Sequence, residues 1–191
     1  MKQVLIIGAS GSLAQYVIEQ LQKQDDVHLT LFLRNKNRLH NRNLSNATIV
    51  EGDVMDYQKL KKAISGQDIV YVNLAGNLDA MAKNIVKAMQ ETGVRRIIAI
   101  SSIGIYKTPL QSVLVPYRKL ADVVEASGLD YTILRPDWFT NGNEVSYQLT
   151  PKGEPERGTA ISRKSIASFI GELVYNPEKY VHENLNISKP D

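Results

Sequence analysis

The sequence predicts an α/β fold in which a doubly wound, mostly parallel sheet is covered by helices on both faces. Short apolar runs alternate with helical segments of about a dozen residues along most of the chain. The apolar runs are continuous rather than alternating, as is typical of strands buried on both faces. Strands joined by such helices need right-handed crossovers, which place a ligand site at the carboxyl ends of the strands.

The first strand, at residues 4–7, ends in a glycine-rich turn that leads into a helix at residues 14–21. Glycines allow a backbone to approach a pyrophosphate closely, and a helix N-terminus offers unpaired N–H groups and a positive dipole end. Gly8, Gly11 and Ala14 follow a G-x-x-G-x-x-A spacing, which differs from the G-x-G-x-x-G fingerprint. The unit predicts nucleotide binding, although a tight strand-to-helix turn also needs glycine for its own geometry.

The same alternation continues through the next units. Gly93 stands after the third predicted helix, at a C′ position that favours glycine because of its positive φ. The predicted elements are strands at 28–33, 48–51 and 68–73, and helices at about 57–64 and 79–91.

Two further strands surround the segment that decides the chemistry. The fifth strand covers residues 96–100, and the sixth covers residues 131–134 and is stopped by Pro136. Between them we expect a helix at 116–126 with a proline in its first turn and Gly128 after its end.

The last third of the chain has a different composition. Glycine, proline and polar residues dominate residues 137–163, where one piece, 145–149, has the pattern of a strand. A helix at 165–175 and a short strand at 184–187 complete the pattern. In doubly wound nucleotide-binding folds the C-terminal portion usually builds the substrate side. Here it has about 55 residues, too few for an independent domain. We therefore expect one domain over residues 1–191.

Composition excludes several kinds of site. The chain has 191 residues, is 43% hydrophobic and contains no cysteine, which excludes disulfides, thiolate metal sites and cysteine nucleophiles. Its three histidines, His28, His40 and His182, lack metal-ligand spacing, so no metal is expected. The formal charge of +3 is mild and dispersed, so we expect neither a nucleic acid nor a membrane as partner.

The cellular compartment is predicted from what the sequence lacks. No run approaches the roughly 20 apolar residues that span a bilayer. The first strand begins almost at the first residue, which leaves no room for a signal peptide. These two features predict a cytoplasmic location.

Short motifs at the predicted strand ends carry a family resemblance. The motifs are Gly8-Ala9-Ser10-Gly11, Arg34-Asn35, Gly52-Asp53-Val54, Ser101-Ser102, residues 127–136 and Ile161-Ser162-Arg163. With these motifs the chain as a whole is similar to the atypical short-chain dehydrogenases/reductases of the NmrA-like, NAD(P)H-binding kind, which lie near the small biliverdin and flavin reductases. The resemblance implies a Rossmann fold and a nicotinamide cofactor, but it does not specify a substrate.

The end of the second strand predicts which nucleotide binds. NAD-selective folds place an acidic side chain there for the ribose 2′-OH, whereas NADP-selective folds supply a cation for the 2′-phosphate. This chain has Arg34, with Lys36 and Arg38 close behind, and no Asp or Glu between Val27 and Val50. A guanidinium can bind the phosphate through two hydrogen bonds, so we expect NADP(H); a solvated basic loop is the alternative.

The resemblance adds further cofactor contacts. It implies that Asp53 and Val54 flank the adenine and that residues 74–76 pass close to the cofactor ribose. Asp53 as a helix cap and Gly76 as an ordinary turn residue are the alternatives. The full predicted set of cofactor contacts is Gly8, Ala9, Ser10, Gly11, Ser12, Leu13, Arg34, Asp53, Val54, Leu74, Ala75, Gly76, Ser101, Lys119 and Pro136.

The proton relay of typical short-chain dehydrogenases is absent. Those enzymes place a Tyr four residues before a Lys, so that both side chains share one helix face. Lys119 matches the family lysine by its distance from the Ser127–Leu134 motif, but Val115 stands where the Tyr should be. Tyr117 is two residues from Lys119, about 200° around a helix. Tyr106, in the loop after the fifth strand, is the other candidate proton donor.

The missing relay fits transfer of a hydride to an acceptor that needs little acid help from the protein. Quinones, flavins and other conjugated acceptors have this property, and Ser102 would orient one while Ser101 is tied into the strand end. Both serines could instead bond within the turn, and Trp138 and Phe139 could stack on the acceptor or plug a small core. The predicted catalytic residues are Ser102, Lys119 and Tyr106, and the predicted substrate contacts are Ser102, Tyr106, Tyr117, Trp138 and Phe139.

Two other classes of function remain open in the sequence. A missing tyrosine also fits a non-enzymatic NADP(H)-binding redox sensor of the NmrA type, which would act through a partner protein, and isomerase or epimerase chemistry is a third reading. Beyond a small-molecule acceptor no partner is expected, and a monomer is favoured over a homodimer.

Overall fold

The computed structural model describes residues 1–40 and 43–191. Ten strands and five α-helices alternate along these residues, with short 3-10 turns at Lys36–Arg38 and Ser112–Leu114. The strands are β1 (Lys2–Ile7), β2 (Val27–Leu33), β3 (Ala47–Glu51), β4 (Ile69–Val72), β5 (Arg96–Ile100), β6 (Asp130–Pro136), β7 (Phe139–Thr140), β8 (Gln148–Pro151), β9 (Ile161–Ser162) and β10 (Glu183–Ser188). The helices are α1 (Ser12–Leu21), α2 (Tyr57–Ile64), α3 (Leu78–Thr92), α4 (Val115–Glu125) and α5 (Arg163–Tyr175).

Eight strands form one sheet in the order β3-β2-β1-β4-β5-β6-β10-β8. Every neighbouring pair is parallel except β10 and β8, which are antiparallel, and β7 pairs with β9 in a small separate ribbon. The strand order reverses between β1 and β4, which opens a crevice at the carboxyl ends of these two strands. The predicted doubly wound, mostly parallel α/β fold is confirmed.

The helices cover both faces of the sheet, as the continuous apolar strands require. On β1, Val4 and Ile6 face a cluster that contains residues of α1 and α5, such as Phe169. Leu5 and Ile7 face the opposite cluster, which includes residues of α2, α3 and α4. Burying each large apolar side chain contributes about 1.5–3 kcal/mol, so two separate layers hold the sheet between them.

Three helices begin at a side chain that accepts a hydrogen bond from the first turn. Asp56 accepts from the Lys59 N–H, Asn77 caps α3, and Ser162 caps α5. Helix α1 differs, because its N-cap is Gly11 and no side chain caps it. Its first N–H groups are therefore left for another acceptor.

Most predicted boundaries agree with the structure within two residues, and the differences lie mainly in the C-terminal third. The strand expected at 145–149 is β8 at Gln148–Pro151, and β7 and β9 were not predicted because two-residue strands have no periodic pattern. Pro136 does not stop β6 early but is its last residue. A proline is tolerated there because the end of a strand needs no further N–H donor.

No helix among the described residues is both long and apolar enough to cross a bilayer.

Candidate functional site

A cleft of about 1430 Å³ lies at the carboxyl ends of the parallel strands. It is lined by residues that follow each of β1 to β6, so the fold brings together segments far apart in the sequence. The predicted site residues that line it are Gly8, Ser10, Gly11, Ser12, Leu13, Arg34, Leu74, Ala75, Ser101, Ser102, Tyr117, Pro136, Trp138 and Phe139.

The glycine turn is shaped by Asn73, a cleft residue that the sequence reasoning missed. Gly8 has a φ of +85°, and a Cβ there would overlap the Asn73 main-chain oxygen. A Cβ on Gly11 would lie 2.5 Å from Asn73 Nδ2. Both glycines are therefore required by close packing against the end of β4. The available signal was position: Asn73 is the first polar residue after an apolar strand.

The start of α1 is suited to an anion. Gly8 and Ala9 donate their N–H groups to the Phe32 carbonyl at 3.0 and 3.3 Å, which fixes the turn to β2. Ser12 and Leu13, in the first turn of the uncapped helix, line the cleft. A helix start of this kind attracts a phosphate through its N–H groups and its dipole. Ala9 itself is buried and does not line the cleft; its N–H holds the turn, and its contact with the cofactor stays a prediction.

The part of the cleft lined by the residues that follow β2, called here the arm beyond β2, is positively charged. Arg34 and Arg38 line it, whereas Lys36 does not and gives its backbone N–H to the Glu51 carboxylate at 2.9 Å. Asp137, at the far end, is the one carboxylate among the lining residues in the described part of the chain. The arm beyond β2 thus has two guanidinium groups and no lining carboxylate to repel a phosphate.

Besides Ala9 and Lys119, three predicted cofactor contacts do not line the cleft. The Asp53 carboxylate accepts the Met55 N–H at 2.8 Å, so it closes a turn and does not cap α2, a role that Asp56 fills. Val54 is buried in the core beside that turn. Gly76 has a φ of +105° and forms the turn before α3, which agrees with its alternative reading.

The serines after β5 differ in their roles. Ser101 is buried, and its hydroxyl donates to the Tyr117 carbonyl at 2.9 Å, which ties the end of β5 to α4. Ser102 lines the cleft and donates to the Ile103 carbonyl at 3.1 Å, as the turn-bonding alternative predicted. Because a hydroxyl oxygen keeps its acceptor capacity after donating, Ser102 can still contact a ligand.

Aromatic side chains line the cleft near Ser102. Trp138 is 84% exposed although it lines the cleft, and Phe139 and Tyr117 lie deeper. An exposed tryptophan at a cleft mouth is not a core plug, so the structure favours the stacking alternative for Trp138.

The structure does not bring Lys119 to the cleft. Lys119 is exposed on α4, and Tyr117 is the residue of this helix turn that faces the cleft. Two residues correspond to about 200° of helix rotation, so the two side chains point to opposite sides. Lys119 is thus not beside Tyr117 at the cleft, and its catalytic and cofactor roles stay predictions.

Tyr106 points away from the cleft into a polar cluster. Its phenol oxygen accepts a hydrogen bond from Asn184 Nδ2 at 2.8 Å, and the Arg135 guanidinium lies 5.3 Å from its ring centre. Burial, followed by the charge of Glu125, raises the pKa of Tyr106. Tyr106 is therefore not among the residues that line the cleft, and its roles as catalytic residue and substrate contact stay predictions.

The loop between β5 and α4 forms part of the cleft wall, which sequence reasoning also missed. Lys107 and Val113 belong to this wall. The loop is fixed by the Gly104 N–H, which donates to Glu156 at 2.9 Å, while Glu156 forms an ion pair with the buried Arg135. No sequence signal joins residues so far apart, because only the folded sheet brings them together.

Comparison with known proteins gives concordant matches. Residues 8–177 match the NAD(P)H-binding family. The isoflavone reductase homolog A622-like of Nicotiana tabacum is 28% identical over 216 aligned residues, covering 98% of this chain and 68% of that protein.

Two solved structures are similar over nearly their full lengths. A Rossmann-fold NAD(P)-binding family protein from Shigella flexneri is 44% identical, with a TM-score of 0.92, and the match covers 100% of this chain and 94% of that one. A short-chain dehydrogenase/reductase of Veillonella parvula in complex with NADP is 26% identical, with a TM-score of 0.90 and coverages of 99% and 95%.

Proposed function

Because this chain belongs to the NAD(P)H-binding family, we propose that it is an NADP(H)-dependent reductase that acts on a small conjugated acceptor such as a quinone or a flavin. The observation that carries the proposal is one continuous cleft, which is basic in the arm beyond β2 and aromatic at its other end. The name of the Nicotiana relative, an isoflavone reductase homologue, supports reduction as the class of reaction.

The residues of the cleft fit the dinucleotide phosphate. The uncapped start of α1 would hold the pyrophosphate, with Gly8 and Gly11 allowing close approach. Arg34 and Arg38 would bind the 2′-phosphate, because no acidic group lines the cleft near them in the described residues. When bound, NADPH supplies the hydride.

At the other end of the cleft the protein positions the acceptor. Trp138 offers a flat exposed face for stacking, whereas Phe139 packs partly against the core. The hydroxyl of Ser102 can orient a carbonyl or a ring nitrogen. Tyr117 is the tyrosine that lines the cleft in the described part of the chain, and no lysine shares its helix face. A conjugated acceptor suits such a site because it can take its proton from water.

The first test is NADPH oxidation with a soluble quinone and with free FMN as acceptors. We expect turnover, and we expect Trp138→Ala to raise the acceptor KM about tenfold while leaving the Kd for NADPH unchanged, since stacking acts on the acceptor alone. Tyr175→Ala is the matched control, because Tyr175 is also exposed but lies outside the cleft. Equal effects of the two variants would contradict the acceptor site.

A non-enzymatic redox sensor is the second candidate, and the position of Lys119 outside the cleft favours it. Tyr117 and Lys107 both line the cleft, but Lys107 lies outside α4. Because no lysine shares the helix face of Tyr117, the described residues retain the means to bind a cofactor but lack the usual proton relay. A sensor predicts no turnover with any acceptor and a large difference in affinity between NADP⁺ and NADPH. Turnover that depends on Trp138 would exclude this reading.

A further inference from the structure

Arg163, the first residue of α5, reaches across to the start of α1. Its Nε donates to Ser12 Oγ at 3.3 Å, and its Nη1 donates to Asn141 Oδ1 at 2.9 Å. The guanidinium carbon lies 5.1 Å from the centre of the Phe139 ring. Ser12 and Phe139 both line the cleft, and Arg163, which is not itself a lining residue, contacts both of them from the α5 side.

The backbone that carries Arg163 is firmly held. Ser162 is buried, its hydroxyl donates to the Glu144 carbonyl at 2.7 Å, and the same oxygen accepts the Ser165 N–H at 3.1 Å. These bonds fix the first turn of α5, so the guanidinium extends from a rigid base. A side chain anchored in this way loses little conformational entropy when it binds a ligand.

The charge of Arg163 is not neutralised by the surrounding protein. Among the described residues no carboxylate lies within ion-pairing distance of it, whereas Arg95, Arg118 and Arg135 each pair with an acidic side chain. Its Nη2 has no hydrogen bond to any described residue. Arg163 therefore presents a positive charge and unused donors beside Ser12.

The glycine turn carries no full positive charge of its own. No lysine or arginine occurs from Gly8 to the end of α1, so the turn itself offers only N–H groups and hydroxyls. Arg34 and Arg38 lie at the ends of other elements, beyond β2. A pyrophosphate at the turn would have no full counter-charge from its own segment.

We propose that Arg163 binds the pyrophosphate of the cofactor, from the α5 side of the cleft. The assignment rests on the proposed function, because it requires the dinucleotide to lie along the start of α1. Arg163 and Arg34 would then bind different groups of the ligand. Arg163 acts on a group that NADH and NADPH share, and Arg34 acts on the 2′-phosphate that NADPH alone carries.

The test is an equilibrium titration of the full chain with NADPH and with NADH, followed by nicotinamide fluorescence. We expect Arg163→Gln to weaken both ligands by the same factor, about tenfold, because a partly exposed charge-assisted bond is lost in each case. Arg34→Ala should weaken NADPH alone. Lys164→Gln is the matched control, since it removes the same charge one position along at an exposed site and should change neither affinity.

The outcomes separate the inference from the proposed function. If the unaltered protein binds neither nucleotide, the proposed function fails. If it binds them and Arg163→Gln leaves both affinities unchanged, or weakens NADPH alone, the assignment of Arg163 is wrong. Thermal unfolding of each variant shows whether a loss of affinity comes from loss of the fold, and Arg163→Lys should recover part of the affinity because it keeps the charge.

Discussion

At the scale of single residues, the cleft depends on a few side chains that lie at strand ends. Arg34 and Arg38 carry the positive charge of the arm beyond β2, and Lys36 between them turns away from the cleft. The short 3-10 turn at Lys36–Arg38 is held at its start by Asn35, whose side chain accepts the Asn37 N–H, and by Glu51, which accepts the Lys36 N–H. The local backbone thus selects which basic side chains face a ligand.

Arg34→Ala should lower the affinity for NADPH about 10- to 150-fold, the range expected when charged hydrogen bonds worth about 1.5–3 kcal/mol are lost. The affinity for NADH should hardly change, because NADH has no 2′-phosphate. Calorimetric titration with both nucleotides measures the two affinities. An equal loss for both would mean that Arg34 binds a different part of the cofactor.

Ser102 and Tyr106 should behave differently, because only Ser102 lines the cleft. Ser102→Ala should lower kcat/KM for a quinone about fivefold or more, since one hydrogen bond to the acceptor is lost. Tyr106→Phe should leave kcat/KM nearly unchanged and lower the free energy of unfolding by about 1 kcal/mol through its bond to Asn184. Steady-state kinetics and urea unfolding of both variants check this, and a larger kinetic loss for Tyr106→Phe would restore its catalytic role.

At the scale of elements, the start of α1 is fixed by β4 as much as by its own sequence. Gly8 and Gly11 both contact Asn73, but through different atoms. Gly8 meets the main chain of Asn73 and has a positive φ, whereas Gly11 has ordinary extended angles and meets the side-chain amide. A second substitution at Asn73 should therefore relieve the clash of a Cβ at position 11 but not that of a Cβ at position 8.

Gly11→Ala should weaken NADPH binding about tenfold or more, because overpacking by one methyl group costs roughly 1–3 kcal/mol and displaces the turn. Adding Asn73→Ala should recover part of this loss by removing the amide that the new Cβ meets. The same second change should not rescue Gly8→Ala, which faces a backbone oxygen. Titrations of the single and double variants form a mutant cycle, and strict additivity would contradict the proposed contact.

At the scale of the whole molecule, a buried ion pair connects the sheet with the cleft wall. Arg135 on β6 is 1% exposed, donates to Asn184 at 2.7 Å and pairs with Glu156, which also accepts the Gly104 N–H. Burial lowers the pKa of Arg135, and Glu156 opposes that effect. The Glu156 carboxylate therefore both compensates the buried charge of Arg135 and holds the loop between β5 and α4.

Glu156→Gln should lower the free energy of unfolding by about 3–5 kcal/mol, because it leaves the Arg135 guanidinium buried without a counter-charge. Glu154→Gln, at an exposed neighbouring carboxylate, is the control and should have little effect. Urea unfolding measures both. The acceptor KM should also rise in Glu156→Gln while the Kd for NADPH stays the same, and a stability loss no greater than that of the control would contradict the role of the pair.

Local sequence patterns predicted most of the fold. The continuous apolar strands, the helix after Gly8 and the glycine at position 93 all depend on interactions within a few residues, so their positions could be read directly. β7 and β9 could not, because two-residue strands form only when the chain brings Phe139 beside Ile161.

The sequence by itself determined the doubly wound fold, the NAD(P)H-binding family and the position of the glycine turn, since local periodicity and short motifs encode all three. Tertiary structure alone decided which residues meet in the cleft. It placed Asn73 against the turn, turned Tyr106 and Lys119 away, and brought Arg163 to Ser12. Those contacts join distant segments, and the direction of a side chain there depends on packing that no local pattern records.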